Sequence, residues 1–184
     1  MKKGTIFKVN SCQKKKDPIE VNFPRNLTNK VGKFLYADSE TTCKSFFKKI
    51  LFENKWDLKD IVCFDSDIYN FYELDSIEHK ATEIKEKKIA FLKCEFLIAN
   101  TGGILISSNQ IKNLNLVQLP ENIIISANTG QFANDVSEGM SMLKSFYSNK
   151  LPTNITTLNP KNLDKESDFL SQGQGAKNIY LIIN

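Results

Sequence analysis

The chain has 184 residues, 41% hydrophobic and 25% charged, a balance that fits one domain with its own core and excludes a disordered chain. No stretch approaches the ~18 uninterrupted apolar residues of a membrane-spanning helix, so no transmembrane segment is expected. The net charge of +4 is local: taking the six lysines that precede Asp17 from the 25 basic residues leaves 19 against 21 acidic ones, or −2 for the rest.

Residues 1–30 read as a weakly ordered, Lys-rich leader, polar, interrupted by Pro18 and Pro24, and without sustained periodicity. Its start, Met1 to Phe7, has lysines but no apolar stretch behind them, which is not a secretory signal and places the expected location in the cytoplasm. From residue 31 to 184 the pattern is that of a single α/β domain. Lys33 to Ala37 reads as a strand. Asp38 and Ser39 cap a helix whose buried face is Cys43, Phe46, Phe47, Ile50 and Leu51. Asp60 to Phe64 is a second strand, and Asp65 and Ser66 cap a short helix near Asp67 to Glu73. This alternation implies parallel strands with right-handed crossovers. Residues 79 to 88 are charged and read as a surface loop.

Three strands follow: Cys94 to Ala99, Ile104 to Ser108 and Asn122 to Ala127. The first two flank Asn100-Thr101-Gly102-Gly103, a hairpin turn signal, so the expected sheet is mixed and largely parallel. A helix from about Gln131 to Ser148 carries the stripe Phe132, Val136, Met140, Leu143 and Tyr147, and Pro152 ends it. Ile155 to Leu158 reads as a strand, Glu166 to Leu170 as a helical turn, and Asn178 to Ile183 as the last strand.

Residue types limit the chemistry. His79 is the only histidine and sits in the charged loop, so a histidine-based catalytic or metal site is not expected. Cys12, Cys43, Cys63 and Cys94 are scattered with no Cys-x-x-Cys pair; buried, reduced thiols are expected, and no metal or cofactor. Arg25 is the only arginine beside 24 lysines, which argues against nucleic acid as a partner, because arginine supplies the two-pronged contact such recognition favours. Two glycine-containing turns, Asn100 to Gly103 and Ser171 to Lys177, could bring backbone N–H groups onto an anion, with Lys112 and Lys177 adding charge. Neither matches a Walker A loop or a dinucleotide fingerprint.

The stretch Cys94-Glu95-Phe96-Leu97-Ile98-Ala99-Asn100-Thr101-Gly102-Gly103-Ile104-Leu105-Ile106-Ser107-Ser108 resembles the lactate-utilization (LUD) domain family, in particular its LutC/YkgG group. Leu119 to Ile125 is similar to that family's Pro-led strand, and Gly173 to Ile183 to its Gly-rich turn and last strand. The resemblance implies a three-layer α/β/α domain similar to the NagB/RpiA/CoA-transferase-like fold, and an association with lactate oxidation through an iron–sulfur complex of which this would be the subunit without cluster cysteines. Asn100 stands where the family carries an acidic residue, and an amide cannot serve as a carboxylate base or nucleophile. Of the family's Gly-Pro segment with its Asp, Pro160 and Asp168 remain. These departures imply a degenerate pocket.

The expected function is an accessory or small-anion-binding LUD-domain component related to lactate or redox metabolism, its partners being other lactate-utilization-type subunits or a small anionic ligand. The alternative is an enzyme acting on a small anionic or CoA-linked metabolite. In either case Asn100, Thr101, Gly102, Gly103, Ser107 and Lys112 would bind the ligand, with Asp168, Gly173, Gly175 and Lys177 facing them. A third reading has the lysine tail tether the protein to a surface.

Overall fold

The computed structural model of the protein describes residues 17–75, 84, 86–148, 150–161 and 176–184. The lysines before Asp17, Cys12, His79 and the expected turn at Glu166 to Leu170 lie outside these residues. In chain order the elements are α1 (Ile19–Thr28), β1 (Gly32–Tyr36), α2 (Glu40–Asn54), β2 (Ile61–Cys63), α3 (Ser66–Tyr72), β3 (Ile89–Lys93), β4 (Phe96–Ile98), β5 (Gly103–Ile106), α4 (Ser108–Ile111), β6 (Asn122–Ala127), β7 (Phe132–Ala133), α5 (Val136–Tyr147), β8 (Thr156–Leu158) and β9 (Asn178–Ile183). None of the helices described is long and apolar enough to cross a membrane.

Five strands form a wholly parallel sheet in the order β1-β9-β6-β3-β2, and four form a second sheet in the order β7-β4-β5-β8. Parallel strands covered on both faces need apolar residues at successive positions, and β3, β6 and β9 supply them. In β9, Tyr180 and Ile182 face α2 and α3, while Ile179, Leu181 and Ile183 face the other way, towards the second sheet. On the first face Cys43, Phe47, Ile50 and Leu51 of α2 meet Ile68 and Tyr72 of α3 over Phe91 and Ile124. On the second face Leu97, Ile104 and Ile106 of the small sheet pack on Leu92, Ile123 and Ile125. Helix α5 covers the outer face of the small sheet through Leu143 against Ile98, Leu105 and Ala133. The result is a three-layer α/β/α arrangement in which the small sheet belongs to one of the covering layers.

Ser39 caps α2 by accepting from the Thr42 N–H at 3.2 Å, and Asp65 caps α3 by accepting from the N–H groups of Asp67 and Ile68. The hairpin read from Gly102-Gly103 forms: β4 and β5 are antiparallel, with Ile98 opposite Gly103. The five-stranded sheet is wholly parallel, and the four-stranded sheet is the mixed one: β4 runs parallel to β7 and antiparallel to β5, and β5 runs antiparallel to β8. Strand β3 was not foreseen. It runs on from Ile89 towards β4 with only Cys94 and Glu95 between them, and no turn residue marks the change of sheet. Helix α5 starts at Val136 instead of near Gln131, because Asp135 caps it and Phe132 is part of β7.

Residues 19–28 correct the reading of 1–30 as a weakly ordered leader. They form α1, and Phe23 and Leu27, one helical turn apart, are both 0% exposed in the core beside the small sheet. Pro24 inside the helix disguises the pattern, since proline removes a backbone donor. Phe23→Ala is expected to cost about 3–5 kcal/mol in chemical denaturation, against under about 0.5 kcal/mol for a residue of a dispensable leader.

A carboxylate ties together the entries of β2 and β3. Asp60 Oδ2 accepts the Asp57 N–H at 3.0 Å and the Lys88 ammonium at 2.9 Å, while the Lys88 N–H donates to the Asp60 carbonyl. The Asp57 amide first, and then Lys88, holds the Asp60 carboxyl below the usual carboxylate range. A depressed carboxyl pKa contributes stability above the ordinary value and loses it as pH falls through the folded one. The stability gap between the protein and its Asp60→Asn variant in urea is therefore expected to be full at neutral pH and to close as pH drops below ~4.

Candidate functional site

The sequence-nominated residues divide between two ends of the molecule. Thr101, Gly103 and Lys177 come together around Asn159: a Cβ on Gly103 would lie 3.0 Å from Asn159 Oδ1, and the Lys177 N–H donates to the Asn159 carbonyl. Lys177 immediately precedes β9, so this group marks the amino edge of the parallel sheet. Ser107 follows β5 at its other end, and Lys112 is exposed beyond α4. Asp168, Gly173 and Gly175 lie outside the described residues.

The turn at the amino edge has no amide left for an anion. The Asn100 N–H donates to the Asn134 carbonyl, those of Thr101 and Gly102 to the Ile98 carbonyl, and that of Gly103 to Thr101 Oγ1. Gly102 is needed for another reason. Its φ is +68°, and a Cβ there would sit 2.5 Å from the Leu27 backbone nitrogen, because the C-terminal end of α1 lies against the turn. Asn26 Nδ2 fixes this contact by donating to the Ala99 carbonyl at 2.7 Å. Lys177 is 7% exposed, and its ammonium donates to the Leu119 carbonyl at 3.0 Å. Burial pushes its pKa below the usual lysine value. Since no shift of the Leu27 side chain relieves a backbone clash, Gly102→Ala is expected to lower thermal stability by several degrees, whether or not any ligand is present.

A denser polar cluster occupies the other end, where the chain passes from β3 to β4. The Glu95 N–H donates to the Leu105 carbonyl, and Gln131 Nε2 donates to the Cys94 carbonyl at 2.6 Å, which fixes the crossover. Glu95 itself is 9% exposed. Its Oε1 accepts from Ser107 Oγ at 2.6 Å, Gln110 Nε2 at 3.1 Å and Asn109 Nδ2 at 3.3 Å, and its Oε2 accepts from the Tyr147 hydroxyl at 3.2 Å. Ser107 and Gln110 are also the two ends of the capping box of α4, so the cap and the carboxylate hold each other. Burial, and then the negative charge of Glu95, push the Tyr147 phenol above its usual pKa. It therefore stays protonated as a donor through the neutral range.

Glu95 opens on a cleft of ≈ 370 Å³ walled by Phe96, Gln110, Gln131, Phe146 and Tyr147. Lys93, the last residue of β3, and Asn128, just past β6, place it at the carboxyl edge of the parallel sheet, where open α/β sheets bind ligands. Lys93 also lines a smaller cleft of ≈ 180 Å³ with Tyr72 and Ser126. Its ammonium is held by Asp67 at 2.6 Å and Asp65 at 3.1 Å. Cys43, Cys63 and Cys94 are buried and free, and burial raises the pKa of each thiol. No group of three or more metal-ligating side chains occurs among the described residues.

Of the Glu95 cluster, sequence reasoning nominated only Ser107. Two signals were present. Glu95 is a carboxylate inside the apolar run from Ile89 to Ala99, and Ser107 and Gln110 have capping-box spacing. Tyr147 and Gln131 gave none, because each meets Glu95 or its carbonyl from far along the chain.

No family model matches the sequence, and no curated relative does either. Among solved structures, the crystal structure of a DUF162 family protein from Deinococcus radiodurans is similar, with a TM-score of 0.62 at 14% identity over 90% of this chain and 94% of that one. The chain thus shares the fold of that protein across nearly its whole length.

Proposed function

We propose that this chain is a LUD-domain protein of the LutC/YkgG type that acts as an accessory, ligand-binding component, holding a small metabolite in the Glu95 cleft. Fold likeness to a DUF162 protein, DUF162 being the LUD-domain family, supports the family. The run from Cys94 to Ser108 that resembles the family supports it again, since this run contributes Glu95 and Ser107. The link to lactate or related redox metabolism rests on the resemblance alone.

The observation that carries the binding reading is a buried carboxylate, satisfied from α4 and α5, at the wall of a cleft at the carboxyl edge of the sheet. Burying a charge is costly, and a fold that needed Glu95 only for packing would be served as well by an apolar residue. The charge balance weighs against the alternative of an enzyme acting on a small anionic or CoA-linked metabolite. Lys93 is already paired with two aspartates, and Oε1 of Glu95 is occupied by donors from Ser107, Asn109, Gln110 and Tyr147, which makes it a poor nucleophile.

A thermal-shift panel of small carboxylates, sugar phosphates, nucleotides, CoA esters and small amines tests this reading. A ligand at ~100 times its Kd stabilises by about 2.7 kcal/mol, a shift of a few degrees. At least one compound is expected to shift the protein and to lose that effect in both Glu95→Gln and Tyr147→Phe, each of which keeps a cooperative melt. A blank panel, or a shift that survives both changes, would remove the cleft from the function.

A further inference from the structure

The Glu95 cleft has a charge and a lining that together select one class of ligand. The charged side chains that line it are Glu95 and Lys93, and the Lys93 ammonium is held by Asp65 and Asp67 on its other side, which leaves the Glu95 carboxylate as the charge the cleft presents. The amide side chains of Gln110 and Gln131 are committed to the protein: Gln110 Nε2 to Glu95, and Gln131 Nε2 to the Cys94 and Glu95 carbonyls. An anion entering here would meet a carboxylate and few available donors.

Three aromatic rings complete the wall: Phe96, Phe146 and Tyr147. Phe146 is 78% exposed, an unusual position for a phenylalanine, and it stands edge-on to Tyr147 with ring centres 5.0 Å apart. Past Phe146 the surface continues into a shallow groove along α5 lined by Phe96, Met142 and Phe146. A cation is drawn to the faces of aromatic rings as well as to a carboxylate, and rings with an acidic residue are how proteins recognise alkylated ammonium groups. Glu95 Oε2 accepts only the Tyr147 hydroxyl among the described residues, which leaves an acceptor position for a ligand N–H or hydroxyl.

We propose that the cleft between Glu95 and the rings of Phe96, Phe146 and Tyr147 is a site for an organic ammonium ligand, whose cationic head meets Glu95 and the rings and whose apolar part follows the groove past Phe146. This rests on the reading of the cleft as a ligand site and names the class of ligand.

The test uses the full chain and three isosteric probes that differ in charge: choline, its neutral counterpart 3,3-dimethylbutan-1-ol, and 3,3-dimethylbutanoate, each titrated by calorimetry or by chemical-shift perturbation. Choline is expected to bind at least about tenfold more tightly than the neutral probe, and the carboxylate most weakly. Glu95→Gln is expected to bring choline and the neutral alcohol within about twofold of each other. Phe146→Ala alters an exposed side chain, so the fold should survive it, and choline is expected to weaken roughly fivefold. Equal or tighter binding of the alcohol or the carboxylate would overturn the proposal, as would choline binding unchanged by both variants or no choline binding at all. If choline fails while another compound still binds in a Glu95-dependent way, the cleft remains the ligand site and only the ammonium class falls.

Discussion

Everything at the carboxyl edge depends on how the chain leaves the parallel sheet at Lys93 and joins the small sheet at Phe96. Two residues make the crossing, and a crossing that short cannot include a turn that satisfies its own backbone. The neighbours do it instead: Leu105 accepts the Glu95 N–H, and Gln131 donates to the carbonyls of Cys94 and Glu95. The Glu95 side chain is buried by the same geometry, and its charge requires donors. They come from α4 through Ser107, Asn109 and Gln110 and from α5 through Tyr147, so one carboxylate joins the crossover to two helices. The cleft is the space these elements leave between them.

The opposite edge is built by close approach rather than by charge. Helix α1 inserts Phe23 and Leu27 beside the small sheet, and its last turn comes so near the β4–β5 hairpin that only glycine fits at residue 102. Thr101, Gly102 and Gly103, which have the composition of an anion-binding loop, instead spend their amides inside the turn. The same glycine pattern serves packing here, because the backbone it exposes is met by another backbone and not by a ligand.

Lys93 separates two environments. On one side it faces Asp65 and Asp67 at the start of α3, and on the other it borders the Glu95 cleft. Its charge is consumed locally, so the edge where a parallel sheet would ordinarily receive an anion is acidic in sum. The charge of the whole chain gives no hint of this, since the excess lysines fall before Asp17.

Local signals in the sequence determined the elements with strong periodicity or clear caps: β1, α2 with Ser39, α3 with Asp65, the β4–β5 hairpin, β6 and β9. In these the side-chain pattern and the backbone requirement lie within a few residues of each other. Helix α1 was not legible because two core residues and an internal proline make too short a pattern, and β3 was not because the largely apolar run from Ile89 to Ala99 does not show where one sheet ends and another begins. The site was half legible. Ser107 and the carboxylate of Glu95 stand inside the motif that resembles the LUD family, but Gln131 and Tyr147 reach it from 36 and 52 residues away. Only the packing of α5 on the small sheet brings Tyr147 there, and only the turn between β6 and β7 brings Gln131. The sequence alone thus decided the burial of the segments with a sustained apolar pattern, because burial there follows from neighbouring residues. The tertiary structure decided which buried polar groups face one another, because that depends on contacts between distant segments that no local pattern encodes.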